Sequence, residues 1–161
     1  IVSIDTVALK NGFNGDAVRT FIVGSVSKET KRLVEVTKQA FFEGIKYAKP
    51  GNRVGDISFA VQEYAEKHNL GIVRELCGHG IGKEMHEEPE VPNFGTPNTG
   101  ARLKPGMVIC IEPMLTFGHR DVWLLDDEWT VVTQDGKPAA HYEHTVLITE
   151  DGYEILTPRL N

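Results

Sequence analysis

The sequence has few cysteines, no long apolar run and no excess of basic residues. Two cysteines in 161 residues are too few for a disulfide scaffold, which favours a reducing compartment. No apolar run approaches the ~18 residues that a membrane span requires. The formal net charge of −6 disfavours nucleic-acid binding through charge. Since we find no repeat, low-complexity segment or linker, residues 1–161 are predicted to form one domain.

Apolar periodicity and turn residues predict an α+β fold with a β-hairpin, two helices and a mostly β second half. Asn11-Gly12 marks the hairpin turn, and Ser27 and Asp56 are predicted to cap the two helices. We expect the helices to cover one face of a curved antiparallel sheet. The predicted elements are strands 1–9 and 16–23, helices 28–48 and 57–68, and strands 72–76, 107–112, 129–133, 140–148 and 153–156.

Two histidines lie in the segment that decides most of the interpretation. His79 lies in C-G-H-G-I-G, residues 77–82, and His86 opens H-E-E-P, followed by a predicted polar loop over 88–102. Glycines let a backbone come close to a bound group because they carry no Cβ. The first segment therefore predicts a turn that presents an imidazole to a ligand. By itself, however, His79 fits a hydrogen-bonded core histidine better.

Four acidic residues occupy strands or strand-end turns. Asp5 falls on an apolar strand face, Asp16 follows a turn, Glu112 ends the apolar run V-I-C-I, and Glu143 interrupts a strand. Burying an unpaired carboxylate costs on the order of several kcal/mol, so such groups are usually paired, protonated or metal-bound. For Asp5 a solvated edge strand is an equal alternative, and for Asp16 alone an ordinary turn is favoured. If the sheet curls so that all four meet His79, two divalent ions of Mn, Fe, Co or Zn would neutralise them.

Together these segments resemble the type I, bacterial-type methionine aminopeptidases, which are pita-bread metallopeptidases. The resemblance covers the whole sequence and about two thirds of the family's catalytic domain, and it implies the pita-bread fold with the N-terminal part missing. The matching motifs are I-D at 4–5, N-G-D at 14–16, C-G-H-G-I-G, H-E-E-P, L-K-P-G-M at 103–107, I-E-P-M at 111–114 and Y-E-H-T at 142–145.

The resemblance implies that five residues bind two divalent metal ions. Asp16 and Glu143 would bridge the ions. His79 and Glu112 would complete one site, and Asp5 would complete the other. All five residue types occur in the family's order along the sequence.

Catalysis and substrate binding are implied for residues around these ligands. Glu112 would also shuttle a proton, and His86 would hydrogen-bond the substrate and stabilise the tetrahedral intermediate. His141 is expected to hydrogen-bond a ligand rather than act as a sixth ligand. The residues expected to line the substrate pocket are His86, Trp129, Cys77 and Met85.

The implied function is removal of the initiator methionine from nascent polypeptides by a cytoplasmic metal-dependent aminopeptidase. The ribosome is considered as a further partner. Two alternatives stay open: a proline-specific dipeptidase or aminopeptidase of the same fold, and a non-catalytic pita-bread binding module. The methionine enzyme is favoured because I-E-P-M stands where prolidases typically read E-P-G. In addition, the interval from Glu112 to Glu143 is too short for the helical insertion of type II enzymes.

The sequence opens at Ile1, inside a predicted strand and without a methionine. This start predicts that an N-terminal segment is missing, cleaved away or held as another chain. The family implies a further catalytic histidine and much of the methionine pocket in that segment. We therefore expect the segment to be a partner of this chain. We also expect the isolated chain to be weakly active or inactive, with an exposed sheet edge.

Overall fold

The computed structural model describes residues 1–158, which form two helices and twelve strands. The helices are α1 (Lys28–Ile45) and α2 (Val54–Lys67). The strands are β1 (Val2–Lys10), β2 (Phe13–Phe21), β3 (Gly71–Ile72), β4 (Gly78–Gly80), β5 (Glu87–Val91), β6 (Val108–Ile111), β7 (Met114–Thr116), β8 (Val122–Leu124), β9 (Val131–Thr133), β10 (Ala139–His141), β11 (His144–Ile148) and β12 (Tyr153–Ile155).

The predicted N-terminal hairpin is present. β1 and β2 pair antiparallel over their full lengths, and Asn11 and Gly12 between them have φ of 54° and 81°. Positive φ at both turn residues is what a type I′ hairpin turn requires. β2 begins three residues before the predicted strand because the ladder continues up to this turn. β1 is exposed along its whole length, so Asp5 lies on a solvated strand and not on a buried apolar face.

Both predicted helices form. Ser27 is the N-cap of α1 as predicted, whereas the N-cap position of α2 is Arg53 and not Asp56. The Ser27 hydroxyl accepts a hydrogen bond from the Thr30 amide at 3.1 Å, as an N-cap does. α2 starts three residues earlier than predicted, so Asp56 is not its cap. Instead, the Asp56 carboxylate accepts from the Arg53 amide at 2.7 Å, from inside the first turn. Neither helix of residues 1–158 combines the length and apolar composition needed to cross a membrane.

The sheets place the core beneath the two helices. The largest sheet has the antiparallel order β12-β11-β6-β4-β5, and a smaller one has the order β10-β7-β3. One buried cluster joins the end of α1 and the start of α2 to the large sheet, around Phe41, Ile57 and Ile109. A second cluster, around Leu33 and Leu115, joins the helices to the small sheet. The helices thus cover one side of the sheets, as predicted.

Several predicted boundaries in the second half are wrong. Residues 78–80 form the strand β4 rather than a turn, and β5 begins at Glu87 and occupies the start of the predicted loop over 88–102. A Cβ on Gly78 would overlap the Cys110 carbonyl oxygen, so this glycine serves close strand packing. The predicted strand 140–148 is two strands in different sheets, β10 and β11. β8, which pairs with β9, was not predicted.

Candidate metal centre

All five predicted metal ligands line one open cavity of about 680 Å³. They reach it from separate elements. Asp5 and Asp16 come from the hairpin, His79 from β4, and Glu112 and Glu143 from the short connections that follow β6 and β10. In the hairpin register Asp5 faces Val18 and Asp16 faces Val7, which makes the two acids diagonal neighbours on one face.

His79 presents one ring nitrogen to the cavity. Its Nδ1 lies 2.9 Å from the Gly80 carbonyl oxygen, which can only accept, so Nδ1 carries the proton. Nε2 lies 3.6 Å from Glu112 Oε1 and 4.0 Å from Asp16 Oδ2. Burial lowers the pKa of His79. A neutral imidazole with its second nitrogen held by a carbonyl is the form in which histidine binds metals.

The carboxyl groups of the cavity destabilise one another's charged forms. Burial, together with Asp16 and Asp5, raises the pKa of Glu112 to about 8. Burial, together with Glu112 and Asp16, raises the pKa of Glu143 to about 9. The pKa of Asp16 is also raised, first by burial and then by Asp5. Near pH 7 the metal-free centre therefore favours the protonated forms of Glu112 and Glu143, and a bound cation would favour their ionised forms.

The donor set fits a divalent metal ion. Asp16 Oδ1 and Glu143 Oε1 are buried and have no hydrogen-bond partner within residues 1–158. One donor atom from each of Asp16, His79, Cys110 and Glu143 lies within 4.8 Å of the others. Glu112 and Asp5 add further carboxylate oxygens at the cavity wall.

Cys110 is a neighbour of the ligands that the sequence interpretation missed. Its Sγ lies 3.8 Å from the Thr145 hydroxyl, and burial raises the pKa of the thiol. The signal for this position was in the strand alternation. Cys110 stands two residues before Glu112, while Ile109 and Ile111 point into the core.

The residues expected around the substrate divide into two groups. His86 and Cys77 line the cavity, and the His86 ring centroid lies 4.3 Å from that of His79 in an edge-on arrangement. Trp129 and Met85 are not among the lining residues. Trp129 is 87% exposed in the connection between β8 and β9, and Met85 is 42% exposed. The other lining residues, which the sequence did not single out, are Leu76, Glu87, Glu88, Glu90 and Met114.

His141 also lines the cavity, where its Nε2 lies 3.3 Å from Glu112 Oε2. The orientation is not that of a hydrogen bond, and Nε2 has no hydrogen-bond partner within residues 1–158. Burial lowers the pKa of His141 to about 4, so the ring is neutral near pH 7. The position of His141 agrees with the expected contact to the proposed ligand Glu112. A hydrogen bond between the two side chains stays a prediction.

Residues 1–150 match the family described as metallopeptidase family M24. The chain belongs to this family. Membership in this metallopeptidase family agrees with a centre made of carboxylates and an imidazole.

Relatives and solved structures give the same assignment. The chain is 52% identical to methionine aminopeptidase 1 of Bacillus subtilis and 54% identical to a methionine aminopeptidase of Clostridium acetobutylicum, over 98% of its own length. It superposes on methionine aminopeptidase from Rickettsia prowazekii with a TM-score of 0.95 and 44% identity over 97% of the chain, and 63% of that structure. A prolidase from Pyrococcus furiosus gives a TM-score of 0.76 at 29% identity over 99% of the chain, and 41% of that structure.

These similarities confirm the pita-bread fold and the predicted resemblance to methionine aminopeptidases. The chain spans 63% of the length of the Bacillus and Clostridium relatives. What those complete proteins do therefore supports a proposal for this chain and does not establish it.

Proposed function

We propose that the chain is the catalytic part of a cytoplasmic, metal-dependent methionine aminopeptidase, and that residues 1–161 form one catalytic domain. The observation that carries this proposal is the meeting of Asp5, Asp16, His79, Glu112 and Glu143 in one cavity. The names of the relatives at 52% and 54% identity support the choice of substrate, the N-terminal methionine of nascent polypeptides.

We propose that the five residues hold two divalent ions, Mn, Fe, Co or Zn. Asp16 and Glu143 would bridge the ions, His79 and Glu112 would complete one site, and Asp5 would complete the other. Asp16 and Glu143 each have a buried acceptor atom with no hydrogen-bond partner among residues 1–158, which supports a bridging role. When bound, such ions lower the pKa of a coordinated water from ~15.7 to ~7 in favourable zinc sites and polarise the scissile carbonyl.

The chain's own residues then supply proton transfer and substrate orientation. Glu112, which lines the cavity, would take a proton from the attacking water at a carboxylate oxygen and return it to the leaving amine. His86, on the cavity wall beside His79, donates a hydrogen bond to the substrate carbonyl and its tetrahedral intermediate. Cys77 contributes apolar surface on the same wall. Roles for Trp129 and Met85 in the methionine pocket stay predictions.

A proline-specific dipeptidase is the competing function. Against it stand the lower similarity to the Pyrococcus prolidase, at a TM-score of 0.76, and the methionine that follows Glu112-Pro113. A non-catalytic binding module is disfavoured because the chain keeps all five predicted ligands in one cavity.

The substrate partner is the free N-terminus of a nascent chain, and the ribosome is the place where such termini emerge. We further propose that an N-terminal segment completes the pocket. The support for this is that relatives extend well beyond the matched region, and that β1 exposes both of its faces.

The test is release of free methionine from Met-Ala-Ser by the purified 161-residue chain, compared with cleavage of an Ala-Pro dipeptide. The chain is first stripped with EDTA and then loaded with Mn²⁺ or Co²⁺. We expect slow, metal-dependent release of methionine that is lost in His79→Ala. Bound metal is counted in the same samples. Absence of bound metal would favour the binding module, and faster cleavage of Ala-Pro would favour the dipeptidase.

A further inference from the structure

The main chain of Asp16 in β2 is hydrogen-bonded to β11 through the side chain of Thr145, and not through main-chain bonds between the two strands. The Thr145 hydroxyl accepts a hydrogen bond from the Asp16 amide at 2.8 Å and donates one to the Asp16 carbonyl at 2.9 Å. A single hydroxyl thus satisfies both main-chain groups of a residue that is 5% exposed. The two residues are 129 positions apart in the sequence.

The backbone of Thr145 is engaged elsewhere, which is why its side chain makes this contact. Its amide donates to the Thr157 hydroxyl at 3.1 Å, and its carbonyl accepts from the Leu156 amide at 2.9 Å. The hairpin sheet and the five-stranded sheet therefore separate at this point. Further links join β2 to residues 141–144. The Glu143 amide donates to the Val18 carbonyl at 3.0 Å, and a bridge joins Arg19 to Tyr142. The Thr20 hydroxyl accepts from the His141 amide at 2.9 Å and donates to the His141 carbonyl at 2.8 Å.

The gap that the hydroxyl spans is the place where the candidate metal ligands meet. Asp16 lies at its hairpin side, and Glu143 lies two residues before Thr145 on the other side. Asp5 is the diagonal neighbour of Asp16 across the hairpin, and Glu112 lines the same cavity. The main-chain position of Asp16 therefore decides where its carboxylate lies among the other candidate ligands.

We propose that Thr145 is a positioning residue for the metal centre, and that its hydroxyl fixes the Asp16 main chain so that the carboxylate can bind metal. The inference rests on the proposed function, because it takes Asp16 as a ligand. Without the hydroxyl, the amide and carbonyl of Asp16 would be buried with little hydrogen bonding. Thr157 alone would remain, 3.5 Å from the carbonyl. The carboxylate would then move away from Glu143.

The experiment measures Mn²⁺ affinity by isothermal titration of EDTA-stripped wild type and three variants. Thr145→Val removes the hydroxyl at nearly constant volume, and Thr145→Ser keeps it. Thr116→Val is the matched control, since Thr116 is 0% exposed and its hydroxyl donates to the His119 carbonyl at 2.9 Å in the other sheet. Urea unfolding in EDTA shows how far each substitution changes stability alone.

Thr145→Val is expected to weaken Mn²⁺ binding by about 10- to 100-fold, the usual effect of removing a partner behind a ligand. Thr145→Ser and Thr116→Val should stay within about threefold of wild type, even where Thr116→Val loses as much stability as Thr145→Val. The inference is overturned if Thr145→Val binds within threefold of wild type, or if Thr116→Val weakens binding equally.

Two further outcomes are informative. If wild type binds no Mn²⁺, the proposed metal-dependent function fails, and the role of Thr145 fails with it. If wild type binds Mn²⁺ and Thr145→Val shows no binding, the inference is supported. Urea unfolding in EDTA then shows how much of the lost affinity comes from lost stability. Should Thr145→Val not fold, Thr157→Val tests the same network at a half-buried site. It should weaken binding on the order of tenfold, and unchanged affinity would overturn the inference.

Discussion

Two cavities of similar size lie on opposite sides of the junction between β2 and residues 141–145, and they carry opposite charge. The metal-side cavity, of about 680 Å³, contains Asp16 and Glu143. The opposite cavity, of about 660 Å³, contains Arg19, Lys38 and His144. Strand alternation separates these sets, because Glu143 and His144 are adjacent in sequence yet point to different sides.

The charged groups of the basic side contact main chain and rings. The Arg19 guanidinium donates to the carbonyls of Glu143 and Val18 and stacks over the Tyr142 ring at 4.3 Å. His144 lies in contact with Arg19, and burial together with Arg19 lowers its pKa to about 4. For the acidic side, the positive charge that we propose is that of the divalent ions.

The largest effect is expected from removing one charge of the metal side. Glu143→Gln should weaken Mn²⁺ binding at least 100-fold, because a carboxylate that we propose to bridge the ions becomes a neutral amide. The same substitution should raise the free energy of unfolding of the metal-free protein near pH 8, since the buried carboxyl no longer has to be protonated or to repel Asp16. Titration calorimetry and urea unfolding in EDTA measure the two quantities.

Glu154→Gln is the matched control for this prediction. Glu154 is an exposed residue of β12. Its substitution should change the free energy of Mn²⁺ binding and the free energy of unfolding by no more than about 0.5 kcal/mol, as for other surface changes. The assignment of Glu143 to an acidic, metal-binding cavity would be contradicted if Glu143→Gln destabilised the metal-free protein and left the Mn²⁺ affinity unchanged.

A second effect is expected from pH. Glu112 and Glu143 have folded pKa values of about 8 and about 9, above the ordinary 4.5. Between pH 6.5 and 8 the folded metal-free chain therefore holds protons that the unfolded chain has released, so its stability falls as pH rises. Below pH 6.5 the lowered pKa values of His141 and His144, both about 4, act in the opposite direction.

Bound metal should remove this dependence, because it keeps the carboxylates ionised without cost and binds more tightly as protons leave. At a free Mn²⁺ concentration of about 100 times its Kd the gain in unfolding free energy is about 2.7 kcal/mol. Urea unfolding at pH 6.5, 7.2 and 8, with EDTA or with Mn²⁺, measures both slopes. Equal slopes would mean that the metal does not bind at these acids.

The sequence predicted the parts of this arrangement that depend on local chemistry. Asn11-Gly12 and Ser27 act through main-chain geometry within a few residues, and both behave as predicted. The five proposed ligands were predicted through the motifs that resemble a known family, and all five line one cavity. For Asp5 the sequence left two alternatives, and the solvated strand is the one observed, because the burial of β1 depends on what packs against it rather than on alternation.

Contacts between distant segments were beyond local patterns. Residues 140–148 alternate like one strand, and no turn residue marks the change of sheet between His141 and His144. The glycines around His79 were interpreted as ligand approach, whereas Gly78 and Gly80 make room for neighbouring strands. The contact of Thr145 with Asp16 could not be predicted either, because it depends on the exact meeting of two sheets.

The smallest effect on metal binding is expected from the basic side. Arg19→Met should lower the free energy of unfolding by about 1.5–3 kcal/mol, the range for hydrogen bonds of a charged donor, since the guanidinium bonds to the Glu143 carbonyl. Mn²⁺ affinity should change by less than tenfold, because the Glu143 carboxylate points to the other cavity. Arg32→Met, at an exposed arginine of α1 that donates to the His68 carbonyl, is the control. A 100-fold loss of affinity in Arg19→Met without loss of stability would mean that the two cavities act as one electrostatic unit. The separation of charge by strand alternation would then not explain the need for metal.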